Sequence, residues 1–551
     1  MEPQPFLGKG SQVDVLLAIS AGLLLGLAFP PSPLYTLAYV AFIPMFILME
    51  RLATYKQFFR YSYLFLFVFH VITLYWTGGW THGRDGWLMV SNTALLVLHP
   101  LFYIPSLMLA WFVRNRFGRI AGLAAFAALW ISFEYAHSLS EFSFPWVTIG
   151  NSQACDLIRA QIVVFTSAYG LSAVLLAFNA VAFMLLFKLA SQEWELKSRQ
   201  AFLSMGILLI LYCGPLIYGM IVRATYERDQ TATTIRIAAI QPNVDPWDKW
   251  GEGFSSKWSS YQIQLAAYLA ATRKVSEVSP DLVIWPETAI PFPILLPAYG
   301  NELQKVVHLV DSVKIPVFTG FSHVVYVDSA NASVTAQRLR NSSLFVESYN
   351  SAMFIEPGNR IGNVYKKIVL VPFAERIPHA STFRFLIEPL KWNVGISSWG
   401  KGEDTLVFNL KFRTGKEIRF SAMICYESVY PDFVRQFVRK GAEFLVVITN
   451  DSWWGNTSGT YQHAAYASLR AIENHRWVVQ CSNGGISEIV DPLGNVSSKT
   501  GMYTSTELVG EVETRSELTF YTRHGDVFAQ LCLFCSAVFV IMAVADKTKK
   551  R

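Results

Sequence analysis

IRFSAMICYE, residues 418–427, decides the reading of this chain. An apolar, strand-like run delivers Cys425 to the point where a helix-like segment, YPDFVRQFVRKGA (430–442), begins. A thiol at a helix start faces unpaired backbone N–H groups and a positive dipole end, so the sequence predicts a thiolate-favouring position. Two other charged residues occupy comparable places. Glu287 ends the apolar run DLVIWPE, and Lys367 ends NVYKK, just before IVLVPF. An acid, a cation and a thiol are the parts of a nucleophilic site for acyl transfer.

Working outward, strand-like runs alternate with helix-like ones across residues 233–515. TIRIAAIQPN, DLVIWPE, KIPVFTGF, SAMFIEP, EFLVVITN and RWVVQCSNGGISEIV read as strands. Segments near 257–278, 301–313, 430–441 and 461–474 read as helices. Such alternation predicts a layered α/β structure. In open α/β sheets, sites gather beyond strand ends, and Glu287, Cys425 and Asn450 all fall there.

The remainder is far more apolar. The chain has 551 residues, is 52% hydrophobic and carries a net charge of +6; its mean hydropathy of +0.32 exceeds that of ordinary soluble proteins. Eight runs approach the ~20 residues a helix needs to cross a bilayer: 12–30, 34–50, 58–78, 87–113, 119–136, 161–187, 201–222 and 525–545. The fourth contains His99-Pro100, where a kink is expected. The expected organisation is a seven-span membrane domain (1–222), an extramembrane domain (223–524), and a last span with a basic tail (525–551). Lys and Arg concentrate in alternate loops, at Arg51–Arg60, Arg114–Arg119, Lys188–Arg199 and after the last span. By the positive-inside rule both termini are then cytoplasmic and 223–524 lies outside.

Six scattered cysteines show neither metal spacing nor a disulfide framework. No basic stripe with interleaved aromatics is present, which argues against nucleic acid. No metal or other cofactor is expected.

WPETAIP (285–291), YKKIVLVPFAE (365–375), ICYE (424–427) and NDSWWG (450–455), in this order, resemble the nitrilase superfamily of Glu-Lys-Cys enzymes. The multi-span N-terminal half, the single C-terminal span and FPWVTIGNSQ (144–153) are similar to one branch of it, the apolipoprotein N-acyltransferases. The resemblance covers essentially the whole chain. It implies an αββα sandwich and a reaction between two lipids. A phospholipid would donate an acyl chain to a cysteine thioester, and a diacylated apolipoprotein would accept it at its N-terminal amine in the bacterial inner membrane. Carried over by motif, Glu287 is the general base, Lys367 stabilises the oxyanion and Cys425 is the nucleophile. Glu375, Tyr426, Glu427 and Trp250 are supporting or substrate-binding residues. The chain departs from the family pattern at Val369, Ala374 and His137, where His, Gly and Arg are usual.

Read as residues alone, Glu375 and Glu427 are equally partners for Lys367 or Arg376. Cys481 reads as core, His463 as structural, and Asn450-Asp451 as a turn. Trp453, Trp454 and FRFLIEPLKW (383–392) are candidates for a lid. Two other functions share some of these features. A membrane-tethered amidase would have the same trio but use water as acceptor, and a transporter would need intramembrane charges beyond Glu134.

Overall fold

The structure, a computed structural model, describes residues 10–79, 86–227, 231–249, 260–358, 360–386 and 399–549. The chain divides into two units. One comprises residues 1–140, 144–226 and 524–551; the other comprises 141–143 and 227–523.

The first unit is helical. Among the described residues five helical stretches are long and apolar enough to cross a membrane: Tyr55–Gly78, Leu88–Ser138, Arg159–Ala190, Arg199–Ala224 and Val527–Asp546. Ser11–Gly26 is a shorter apolar helix. The fourth and fifth expected spans meet at Gly118, whose backbone at φ +84° and ψ −177° breaks the helical run. Only glycine adopts that conformation cheaply. The break therefore falls here, while Pro100 stays inside the helix.

The expected second span is corrected. Residues 34–50 are not one helix but a 3₁₀ turn, Tyr35–Tyr39, followed by Ile43–Arg51. Pro44 lacks an N–H and is tolerated only in a first turn, which sets the start at Ile43. Nine residues rise only about 14 Å. The irregular backbone before them is satisfied from within the protein. Buried Asn179 accepts from Phe42 N at 2.8 Å and donates to Ala38 O at 2.8 Å. Non-helical backbone at membrane depth requires such a partner.

Ion pairs tie several helix ends of this unit together. Arg51 pairs with Asp14 at 2.8 Å, and Glu50 takes both Arg114 (2.8 Å) and Arg119 (3.0 Å). Arg116 lies 3.8 Å from Asp546, and the Arg119 guanidinium sits 3.6 Å over the Phe187 ring. The start of Ser11–Gly26, the turn at Gly118 and the ends of Ile43–Arg51, Val163–Ala190 and Val527–Lys549 thus share one end of the bundle.

The second unit is an αββα sandwich. In the first sheet Thr234–Gln241 runs antiparallel to Thr506–Glu513 and parallel to Leu282–Ile284. Val317–Val327 and Phe345–Glu356 extend it. In the second, Met423–Ile424, Leu445–Thr449 and Val478–Ser482 are parallel, and Glu488–Val490 and Val496–Lys499 complete it. Leu445–Thr449 and Val478–Ser482 are buried throughout, as strands covered on both faces should be. Helices Tyr261–Ser276 and Gly300–Val313 cover the first sheet, with Leu265, Tyr268, Leu309 and Val310 packed against Ile240, Val283 and Trp285. Pro431–Arg439 and Ser458–Asn474 accompany the second sheet. Between the sheets, Phe318 and Phe354 each meet Phe420 with ring centroids 5.4 Å apart. Cys481 belongs to this interior: its Sγ donates to Ile240 O at 3.5 Å and Ile284 O at 3.4 Å.

Candidate active site

Short strands deliver three of the singled-out residues to one buried cluster. Glu287 follows Leu282–Ile284 by three residues, in a turn whose next residue, Thr288, has φ +45°. A β-branched residue there is a strained outlier. The turn lies flat on Gly320 of the neighbouring strand, where an added Cβ would meet Thr288 N at 2.6 Å, Pro286 O at 2.7 Å and Glu287 Cα at 2.9 Å. Only glycine allows that approach.

Lys367 follows the strand Tyr365–Lys366 and donates its backbone N–H to Asn350 O at 2.8 Å. Its ammonium is 1% exposed, 2.8 Å from Glu375 Oε1 and 3.3 Å from Glu287 Oε1. Burial alone would push the ammonium's pKa down; Glu375, then Glu287 and Cys425, outweigh that and hold it well above the ordinary lysine value. The neighbouring Lys366 lies elsewhere, 4.1 Å over the Tyr349 ring. Asn350 Nδ2 completes the cluster, donating to Glu287 Oε1 at 2.7 Å and Glu375 Oε1 at 3.3 Å. Glu375 Oε2 accepts from Val371 N at 2.8 Å, which fixes that carboxylate to its own loop.

Cys425 sits at φ +53°, between the strand residue Ile424 and a 3₁₀ turn, Cys425–Val429. The expectation of a thiol activated at a helix start is corrected here. The α-helix begins at Pro431, and a buried thiol loses solvation of its charged form. Burial, then the charge of Glu287, pushes the Cys425 thiol well above its ordinary value, with Lys367 pulling the other way. Such a thiol stays protonated until a base takes its proton.

Glu427 joins the two halves of the site. Its carboxylate accepts from Ile424 N (2.7 Å) beside the thiol, and from Tyr365 Oη (2.7 Å), Ile368 N (2.7 Å) and Val369 N (3.1 Å) beside Lys367. Burial raises its pKa to about 7 against these donors. Tyr426 Oη donates to Ser143 O at 2.9 Å, residues 141–143 grouping with this unit. Trp250 lies outside the described residues, as does 387–392 of the lid candidate. Trp453 is half-buried and packs edge-on to Trp247, with centroids 5.3 Å apart. Phe385 is exposed.

Sequence reading missed Asn350, and it missed Lys249, which immediately precedes Trp250 in QPNVDPWDKW. Lys249 is fully buried; its ammonium donates to Glu287 O at 2.9 Å and Thr288 Oγ1 at 2.7 Å, bracing the strained turn. Burial lowers its pKa from 10.5 to about 7, against the charge of Glu287. On unfolding the lysine regains its higher pKa, so the unfolded chain binds more protons between these values. Stability attributable to Lys249 is therefore present above pH 10.5 and lost as pH falls toward 7, a span of up to about 5 kcal/mol. Lys249→Met is expected to flatten this: its unfolding temperature should change less than the wild type's between pH 7 and 9. Parallel pH-dependences would place the effect elsewhere.

No group of three or more His, Cys, Asp or Glu among the described residues could hold a metal ion. The arrangement gathers an ammonium and two hydrogen-bonded carboxylates in one buried cluster that bears electrostatically on a buried thiol. Those are the components of acyl transfer through a covalent intermediate.

Comparison with known proteins agrees in both halves. A carbon-nitrogen hydrolase family model matches residues 236–517, and one for the apolipoprotein N-acyltransferase N-terminal domain matches 21–181. A Chlorobaculum tepidum protein named apolipoprotein N-acyltransferase is 33% identical over 537 residues, 96% of each chain. Relatives of the same name are 29% identical in Geobacter metallireducens (97% of this chain, 96% of that one) and 27% in Pseudomonas syringae pv. tomato (97% of each).

Proposed function

This chain belongs to the apolipoprotein N-acyltransferase family, and from that premise we propose that it acylates lipoproteins at their N-terminus, drawing the acyl chain from a membrane phospholipid through a thioester on Cys425. The observation that carries this reading is the convergence of Glu287, Lys367 and Glu375 on one buried cluster that bears electrostatically on the Cys425 thiol.

In the first half-reaction Glu287 takes the thiol proton as sulfur attacks the ester carbonyl. Lys367 stabilises the tetrahedral oxyanion. The carbon–oxygen bond breaks, and the lysophospholipid alcohol leaves with the proton from Glu287. In the second, the α-amine of a diacylglyceryl-cysteine lipoprotein attacks the thioester and gives up a proton to Glu287. An amide forms, and the thiolate departs and regains its proton. Asn350 and Glu375 orient Glu287 and Lys367, while Glu427 keeps the thiol and Lys367 segments in register.

The reading places the enzyme in the bacterial inner membrane, with 1–222 and 525–551 as its membrane parts and 223–524 as its catalytic part. The shared ionic end of the helical bundle, which carries Arg51, Arg114, Arg116 and Arg119, supports a cytoplasmic assignment of that end and of both termini. The catalytic part is then periplasmic.

The test is intact mass. Purified protein incubated with phospholipid alone should gain the mass of one acyl chain and lose it when a diacylated lipopeptide is added. Free fatty acid without lipopeptide amide would instead identify a hydrolase.

A further inference from the structure

The Cys425 carbonyl is held by a buried network that the mechanism above does not use. It accepts a hydrogen bond from Ser428 Oγ at 2.8 Å. Ser428 Oγ also lies 2.8 Å from His463 Nε2, and His463 Nδ1 lies 2.9 Å from Asp451 Oδ1. Asp451 Oδ1 also accepts from Thr449 Oγ1 at 2.8 Å, and the Thr449 hydroxyl bears in turn on the Cys425 thiol. Ser428, His463, Asp451 and Thr449 are all at most 4% exposed. Left-handed backbone at a non-glycine residue is strained and persists only where surrounding contacts over-determine it.

We propose that Ser428, His463 and Asp451 form a positioning relay for Cys425, with two hydrogen-bonded states set by the proton on His463. The proposal rests on the reading of Cys425 as nucleophile, and its logic is a count of protons. Ser428 has one hydroxyl proton, and a carboxylate can only accept. While that proton goes to the Cys425 carbonyl, His463 must donate from Nε2 to Ser428 and from Nδ1 to Asp451. All three bonds therefore coexist only with a doubly protonated ring, its charge balanced by Asp451. A singly protonated ring keeps its Nδ1 proton on Asp451 and takes the proton of Ser428 at Nε2. The Cys425 carbonyl is then released, and the elbow loses a restraint on the side away from the thiol. The proton on His463 thus sets how firmly the thiol is aimed.

The other titratable groups on elements packed against this helix are Cys425, Tyr426 and Glu427 on the turn, Asp432, Arg435 and Arg439 on the helix after it, and Cys481 and Glu488 on strands. Arg435 is paired with Asp432 at 2.6 Å; on the His463 helix itself Arg470 is paired with Glu473 at 2.8 Å. Asp451 supplies the carboxylate that the ring touches.

The experiment uses full-length protein in detergent with phospholipid. It follows acyl-thioester formation and, separately, alkylation of Cys425 by iodoacetamide, read on the Cys425 peptide across the pH range in which the protein stays folded. Ser428→Ala should slow both about tenfold at the acid end, without changing the KM for phospholipid. The ratio of wild type to variant should shrink toward one at the alkaline end, where the wild-type ring has also let go. Ser428→Thr keeps the hydroxyl and should behave as wild type. Should Ser428→Ala fail to fold, Asp451→Asn serves: without the balancing charge it should show the slow rate at every pH. Equal rates in wild type and Ser428→Ala, or a reduction that does not vary with pH, overturns the relay. If wild type forms no acyl adduct, the functional reading fails, while the alkylation ratio still decides the relay.

Discussion

Cys425→Ala protein incubated with phospholipid is expected to keep its unmodified mass and to transfer no acyl chain to a diacylated lipopeptide, a loss on the order of 10⁴- to 10⁶-fold in turnover. The other thiol of this unit is not placed to substitute. Cys481, also buried in this unit, has its sulfur against the carbonyls of Ile240 and Ile284 between the sheets. Cys425→Ser should be nearly as inert. A hydroxyl is a far weaker acid than a thiol, and the proposed base, Glu287, is a carboxylate. An acyl adduct that survives in Cys425→Ala would move the nucleophile to another residue.

Lys367→Ala is expected to cost roughly 100- to 1,000-fold in the rate of acyl-enzyme formation, the usual penalty for deleting one preorganised oxyanion donor. A second penalty follows from its surroundings. Glu287 and Glu375 both face Lys367, at 3.3 and 2.8 Å, and all three are buried. Removing the cation leaves two carboxylates in one pocket, at a cost of about 3–5 kcal/mol for an uncompensated buried charge. Protonating one carboxylate relieves that repulsion, and if Glu287 takes the proton the base is lost as well. Lys367→Arg should not rescue, because a planar guanidinium cannot occupy the space of a compact ammonium between two carboxylates. The measurement is the single-turnover appearance of the acyl mass, with the unfolding temperature recorded in parallel. Near-normal acylation with lowered stability would make Lys367 structural.

The strands and helices of the catalytic unit were legible because their signals are local. DLVIWPE, EFLVVITN and RWVVQCSNGG are buried parallel strands with apolar residues on both faces, and a turn residue follows each. The helical unit was legible in bulk but not in detail. Hydropathy averages over a window, so it does not register that Pro44 forbids a helix through 34–50, or that Asn179 makes an irregular alternative tolerable. Choosing Lys367 over Lys366 rested on the motif; in the structure one ammonium meets two carboxylates and the other an aromatic ring. The braces of the site were not legible at all. Lys249 meets Glu287 across 38 residues, Asn350 meets it across 63, and His463 meets Ser428 across 35. Each bond exists only because the fold brings distant segments together. The inference of an activated thiol failed for a related reason: a local pattern suggests a helix dipole, but burial depends on everything packed around the sulfur.

That burial has a consequence for survival in the proposed periplasmic location. Oxidants and disulfide-exchanging enzymes attack the thiolate form of an accessible cysteine. An exposed, permanently ionised nucleophile on the oxidising side of a membrane would be captured as a mixed disulfide or sulfenic acid between turnovers. The Cys425 sulfur is buried and its thiol pKa is raised, so its reaction with such reagents is slow. In that proposed location the strained elbow and raised thiol would act as a safety catch, letting a free cysteine persist where most cysteines are held in disulfides.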